Sequence, residues 1–307
     1  MTWVTWHQHR REALVALLFM AVIAVYLTVA GWQMRMVAAA IHLPACSRGG
    51  TVTSTCGIVL QQFLSRFAPL GITTLQGMAV VPGLVGVFIG APLQARELEQ
   101  STHLLAWTQS ITRTRWLVVR LALVGGATVA AGLAAGQLAA WWWAPLALGF
   151  TNGDWQAFAA IGIMPAAYGL FGLGLGVASG AIVRRTVPAM LITTIGFAAT
   201  RLAVTFWLRP HYMAPLTGSM DDTERGRWFL GLYWSDAAGH PISNDAVNQL
   251  VAQASDPSTA LAEHGLHQLL IYQPASRLLT FQLIEAAIFA GLGLALVAIT
   301  VWRTRRL

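Results

Sequence analysis

The sequence contains no lysine: all 19 of its basic residues are arginine. A nucleotide-binding P-loop needs a lysine that reaches the phosphates of ATP. The chain therefore cannot bind or hydrolyse ATP through a P-loop of its own.

Charged residues are scarce as well. They make up 10% of the 307 residues, and 56% of the residues are hydrophobic, whereas soluble domains have about 25% charged residues. This number of charges is too small to cover the surface of a globular protein of this length. Lipid must therefore surround much of the chain. The net charge of +7 does not indicate nucleic-acid binding, because most arginines lie at the edges of the apolar stretches.

Six apolar stretches are each about long enough to cross ~30 Å of hydrocarbon as a helix. They are residues 13–31, 73–93, 116–143, 157–183, 187–207 and 281–302. We therefore predict an all-α integral membrane protein in which residues 13–307 form one six-span domain.

The arginines indicate the orientation of these spans. With the N-terminus inside, the segments on the inner side have roughly fourfold the arginine density of the segments on the outer side, as inner loops of membrane proteins should. Both termini are therefore predicted to be cytoplasmic. The segment 94–115 is then cytoplasmic, and the long insertion 208–280 between the fifth and sixth spans is extracytoplasmic.

None of the eight histidines falls in a predicted span, which leaves no base for an intramembrane serine protease. The pairs His7/His9 and His264/His267 lack a convincing set of further ligands, so no metal site is predicted. We expect no catalytic or cofactor-binding residues in this chain.

The chain has two cysteines, Cys46 and Cys56, and both fall in the first predicted outer segment. Outside the cytoplasm, two cysteines ten residues apart in a glycine-containing loop indicate a disulfide, with two free thiols as the alternative. The bridge would stabilise the folded chain by about 2.5–3 kcal/mol in the chain-entropy model.

Two ionisable residues lie deep in predicted spans, Arg201 and Glu285. Counted along their helices, they lie ~21 and ~24 Å from the inner surface, within one helical turn of each other. Burying either charge alone costs about 2.5–3.5 kcal/mol at the centre of a span. We predict that they form a buried ion pair that serves helix packing, with a role in transport, such as a proton relay, as the alternative.

The cytoplasmic segment 94–115 has one apolar helical stripe, with polar residues opposite. The stripe consists of Leu98, Leu104, Leu105, Trp107 and Ile111, at helical spacings of three, four and seven. Such a helix either lies on the membrane surface or docks into a soluble partner.

This segment also carries a family resemblance. The run Arg96-Glu97-x-Glu99-x-x-Thr102, followed by Thr108-Gln109-Ser110 and Arg113-x-Arg115, resembles the coupling segment of type 2 ABC-exporter permeases. Three shorter motifs resemble the version of this permease found in high-GC bacteria: Thr5-Trp6-x-Gln8-His9-Arg10, Arg209-Pro210-His211-Tyr212 and Tyr272-Gln273-Pro274-Ala275.

The resemblance implies an architecture. Two permease chains of six helices, expected here to be identical, form the pathway, and two copies of a separate ATPase subunit bind ATP and magnesium. A short N-terminal helix, here within residues 1–12, lies along the inner membrane surface. A coupling helix docks into the ATPase, with contacts expected from Arg96, Glu97, Leu98, Glu99, Thr102, Leu105 and Trp107.

We therefore interpret the chain as a multi-pass permease subunit of an ATP-driven exporter in a bacterial plasma membrane, and not as an enzyme itself. Its apolar spans suit a hydrophobic or amphipathic substrate. One alternative is an ion-coupled secondary transporter, which would need several buried acids where only Glu285 is available. The other is a non-transporting membrane sensor or immunity protein.

Overall fold

The computed structural model describes residues 2–43, 54–99, 113–219, 226–254 and 256–306. Within these residues, six helical segments are long and apolar enough to cross a membrane, which confirms the predicted multi-pass architecture. They are Leu17–Ala40, Cys56–Arg96, Leu117–Ala147, Met164–Val183, Thr186–His211 and Ala275–Thr304.

Helix α1 is longer than its span and covers Thr2–Ala40 without a break. Residues 2–12 thus continue into the first span without a break, and the predicted position of residues 1–12 along the inner membrane surface stays a prediction. The continuity has a local reason, because neither proline nor glycine, the residues that most weaken a helix, occurs before Gly31.

The second span belongs to the longest helical course among the described residues. Helix α2 covers Ser54–Val85, a π-helical turn covers Gly86–Gly90, and α3 covers Ala91–Glu99. The predicted outer segment 32–72 is therefore largely helical where the structure describes it. A hydropathy window of membrane length finds only the most apolar part of such a helix, so the prediction began the helix at residue 73.

The next three helices form the middle of the domain. Helix α4 covers Arg113–Ala147, α5 covers Met164–Val183 and α6 covers Thr186–Ala203. Helix α5 begins seven residues after the predicted start of its span, with Pro165 in its first turn, where the missing N–H of proline costs nothing. A π-helical turn, Val204–Leu208, and a 3₁₀ turn, Arg209–His211, continue α6.

The insertion between the fifth and sixth spans contains a four-stranded antiparallel sheet, so the all-α prediction is wrong there. Strands β1 (Leu216–Ser219), β2 (Trp228–Ser235), β3 (Pro241–Ile242) and β4 (His267–Gln273) pair in the order β1-β4-β2-β3. Helices α7 (Asn244–Gln253) and α8 (Pro257–Glu263) connect β3 to β4, and α9 (Leu278–Arg306) forms the last span. Aromatic residues in β2, and Ile271 with Tyr272 in β4, favour the extended backbone.

Helix α5 is the centre of the domain. In its most apolar stretch 72% of the residues are buried, against 17% to 33% for the other five spans. It packs against α2, α3, α4, α6 and α9. The domain has two ends: the insertion end carries the sheet, and the α3 end is where α3 finishes and α6 begins.

Candidate functional site

At the α3 end, α5 is joined to α3 by backbone contact. Gly172, Gly176 and Gly180 lie one turn apart on α5. A Cβ atom at Gly176 would lie 2.2 Å from the carbonyl oxygen of Gly86, and one at Gly180 would lie 2.5 Å from that of Ala91. Only glycine allows this approach, which is the close helix packing that their spacing indicates.

The last residue of α3 contacts α6. The Glu99 carboxylate accepts hydrogen bonds from the backbone N–H of Thr186 at 3.1 Å and from its hydroxyl at 2.8 Å. These bonds lower the pKa of Glu99 below its ordinary value, and the charge of Arg185 adds to the effect. Since Thr186 is the first residue of α6, the carboxylate satisfies a donor that the helix itself leaves unpaired.

The predicted coupling residues are only partly described. Arg96 and Glu99 are exposed at the end of α3, and Glu97 and Leu98 belong to the same helix. Thr102, Leu105 and Trp107 lie outside the described residues. The predicted docking role therefore stays a prediction, although α3 has the contacts to α5 and α6 that such a role requires.

At the insertion end, Glu285 on α9 is fully buried and saturated with donors. The guanidinium of Arg209 donates from Nε to one carboxylate oxygen and from Nη2 to the other, both at 2.8 Å. The Tyr168 hydroxyl donates to the second oxygen, and the Tyr212 hydroxyl donates to the first at 3.3 Å. This group, the Glu285 cluster, joins α5, α9 and the end of the fifth span.

The arginine that pairs with Glu285 is thus Arg209, and the prediction of Arg201 as its partner named the wrong residue. The predicted fifth span ended at Trp207 and so placed Arg209 in the loop. In the structure the helical turns continue to His211 and turn Arg209 inward. Arg201 lies beside the cluster, with its guanidinium carbon 3.8 Å from the centre of the Tyr168 ring.

Side chains around the cluster attach the insertion to the spans. The Gln273 amide donates to the carbonyl of Met213 at 2.8 Å, and Arg277 donates to the carbonyl of Ala214 at 2.7 Å. The rings of Trp155, Phe158, Trp228 and Phe281 contact one another beside these bonds. The sheet and the spans are therefore joined through a common aromatic core.

Sequence reasoning missed Arg209, Tyr168 and Tyr212 as members of the cluster. Arg209 and Tyr212 did occur in a motif that carried the family resemblance. Tyr168 could have been found as a polar ring inside an apolar helix, since a buried tyrosine hydroxyl usually has a partner. The predicted disulfide stays a prediction, because Cys46 lies outside the described residues.

Comparison with known proteins identifies a family. The sequence model of a protein family described as "ABC-2 membrane transporter related" matches residues 17–209, nearly two thirds of the chain. No curated protein and no solved structure matches the chain. The matched part includes the first five spans, α3 and Arg209, and it ends where the insertion begins.

Proposed function

The chain belongs to the family of ABC-2 membrane transporter related proteins, and on that premise we propose that it is the permease subunit of an ATP-driven exporter. The ATP is hydrolysed by a separate ATPase subunit. Two copies of the permease, identical to each other, form the pathway, and two copies of the ATPase bind ATP and magnesium. The substrate is a hydrophobic or amphipathic molecule that leaves the cytoplasm.

The arrangement of α3 is the observation that carries this proposal. A subunit driven by a partner needs an element that contacts the partner and is also attached to the spans. Helix α3 touches the backbone of α5 through Gly176 and Gly180 and bonds to α6 through Glu99. A displacement of α3 by an ATPase would therefore reach the central helix and its neighbour together.

The proposal places the α3 end in the cytoplasm and the sheet outside the bacterial plasma membrane. The arginine distribution supports this orientation, and it puts both termini inside. The ATPase would then meet α3 and the residues that follow it. The insertion would cover the outer opening.

The Glu285 cluster argues against an ion-coupled carrier. Glu285 is the one acidic residue in the six candidate spans, all of which lie in the described part of the chain. A proton carrier must release and rebind protons at such a group. Here both carboxylate oxygens accept bonds from Arg209, and each accepts a further bond from a tyrosine. These four bonds join α5, α9 and the end of the fifth span, which gives Glu285 a structural role.

The test is reconstitution of the permease with the ATPase that co-purifies with it. We expect Glu97→Arg, and separately Leu98→Asp with Leu105→Asp, to insert normally but to lose stimulated ATP hydrolysis and transport. The charge reversal alone costs modestly at a rim contact, and about 2–5 kcal/mol if the pair is desolvated.

A matched control is Glu263→Arg, the same change at an exposed position of α8 in the insertion. It should leave stimulation intact. Full activity of both α3 variants would show that this helix does not couple the spans to an ATPase. A permease that copurifies with no ATPase would point instead to a sensor or immunity protein.

A further inference from the structure

Arg201 is a charged group inside a span with an incomplete set of partners. Its guanidinium lies against the face of the Tyr168 ring, and its buried Nη1 atom has no hydrogen-bond acceptor among the described residues. The ring face attracts a cation, but it is a weaker partner than a carboxylate inside a low-dielectric site.

The charges around Arg201 do not balance. In the described part of the chain, the charged groups that interact with Arg201 are Glu285, which attracts it, and Arg209, which repels it. Glu285 is already bonded twice by Arg209. Two guanidinium groups and one carboxylate leave one net positive charge, which is costly inside a membrane span.

The surroundings of Arg201 are partly open and apolar. Arg201 lies at the edge of the buried stripe of α6, where Phe197 and Val204 face the core. On its other side Ile195, Leu202 and Phe206 are exposed, at 68%, 55% and 67%. A cation is therefore placed next to a continuous apolar helix face.

We propose that Arg201 binds the anionic headgroup of an amphiphile, a carboxylate or phosphate, whose apolar tail lies along Ile195, Leu202 and Phe206. The inference rests on the proposed function in one respect, since it names the class of molecule that the permease would move. A single-tailed substrate and an anionic membrane lipid share this chemistry.

The test measures binding to the permease alone, in nanodiscs of phosphatidylcholine without any ATPase. The probe is 9,10-dibromostearate, whose bromines quench tryptophan fluorescence, and its neutral methyl ester is the matched probe. We expect the carboxylate to bind the wild type more tightly than the ester. Arg201→Gln should raise the half-saturating concentration of the carboxylate about tenfold or more, as loss of a charged hydrogen bond does, and leave that of the ester unchanged.

Two further variants check that charge at this position is responsible. Arg201→Lys keeps the charge and should retain most of the carboxylate affinity. Arg35→Gln is the matched control, because Arg35 also lies in a candidate span with its guanidinium 4.0 Å from the centre of a tryptophan ring. It should bind both probes as the wild type does.

Competition identifies the source of the anion. Displacement of the probe by phosphatidylglycerol in the nanodisc would assign the site to a lipid headgroup. Persistence of probe binding in its presence would assign it to a free amphiphile. Both outcomes support binding of an anionic headgroup with an apolar tail. Displacement of the probe by inorganic phosphate that is as effective as displacement by phosphatidylglycerol would overturn the requirement for a tail.

Two results would overturn the proposal. The first is equal affinity of the wild type for the carboxylate and the ester, which needs no variant that might misfold. The second is equal loss of binding in Arg201→Gln and Arg35→Gln. Because no ATPase is present, failure here is distinct from failure of the exporter proposal.

Discussion

The two ends of the span domain are held together in opposite ways. At the insertion end, a few large side chains meet around Glu285 and are joined by directional bonds. At the α3 end, α5 meets the course from Gly86 to Ala95 through glycines, with backbone against backbone. Removing atoms should destabilise the insertion end, whereas adding atoms should destabilise the α3 end.

The largest effect on stability is expected from removing a charge of the Glu285 cluster at the insertion end. Glu285→Gln leaves the buried Arg209 without a counter-charge, and the loss of one partner of a buried pair typically costs about 3–5 kcal/mol. We expect a large fall in the thermal unfolding midpoint of the purified protein, measured by intrinsic fluorescence.

Arg209→Gln should act in the same direction, and a double-mutant cycle should show that the two losses are not additive. Arg201→Gln should couple more weakly to Glu285 than Arg209→Gln does. Additive losses for Arg209 and Glu285 would contradict the pair seen in the structure.

A smaller effect is expected from crowding the α3 end. Gly176→Ala places a methyl group where the carbonyl oxygen of Gly86 lies, and overpacking of this kind costs about 1–3 kcal/mol. The unfolding midpoint should fall. Gly126→Ala on α4 is the matched control, since no atom lies within 4 Å of its added Cβ. Equal midpoints for the two variants would show that the glycine contact does not hold the helices together.

A third change should spare stability and alter coupling alone. Glu99→Gln weakens the acceptor for the Thr186 donors at an exposed position, so the unfolding midpoint should hardly move. ATPase stimulation in the reconstituted complex should fall. Thr186→Val should have a similar effect, and the double variant should be no worse than either. Losses that multiply would mean that the two residues act separately.

The same contact predicts a pH dependence. Because the folded pKa of Glu99 is lowered, its bond to Thr186 is fully formed above the ordinary pKa of glutamate and is lost as the pH falls through the lower, folded value. Coupling through this contact should therefore be constant near neutral pH. A loss of stimulation between pH 8 and pH 6 that Glu99→Gln abolishes would contradict this assignment.

The smallest effect on stability is expected from a labelling variant, which reports which end of the domain lies outside the cell. A cysteine at Ala262, exposed on α8, is introduced after Cys46 and Cys56 are replaced by serine. An impermeant thiol reagent should label it on intact cells. Labelling only after lysis would reverse the orientation of both ends. Mass spectrometry of the unreduced wild type then tests the Cys46–Cys56 bond.

Much of the difference between the two ends follows from the sequence, but the identity of the arginine that pairs with Glu285 does not. Spans depend on hydropathy, which is a property of each stretch alone, and glycines four residues apart mark a close helix contact wherever it occurs. The partner of Glu285 depends on where α6 ends. The π-helical turn at Val204–Leu208 shifts that end. Counting residues with the regular α-helical repeat does not predict this shift.

The sheet of the insertion and the length of α2 were missed for related reasons. Strand β2 pairs with β4, which lies more than thirty residues later in the chain, and no local pattern specifies a partner at that distance. Residues 54–72 mix apolar and polar side chains, so the predicted second span begins only with the more apolar stretch from residue 73. In the structure Phe63 from this stretch is buried in a core with residues of α1 and α4.

The length of the helical course through the second span also affects how the protein fits bilayers of different thickness. The candidate span Cys56–Arg96 has 41 residues, or about 60 Å of helix, roughly twice the hydrocarbon thickness. A lone helix of this length would suffer hydrophobic mismatch and tilt. Here Phe63, Leu75 and Met78 are covered by α1 and α4 instead of by lipid. We therefore expect the bundle to slide by a few ångströms between thin and thick bilayers without a change in its internal packing.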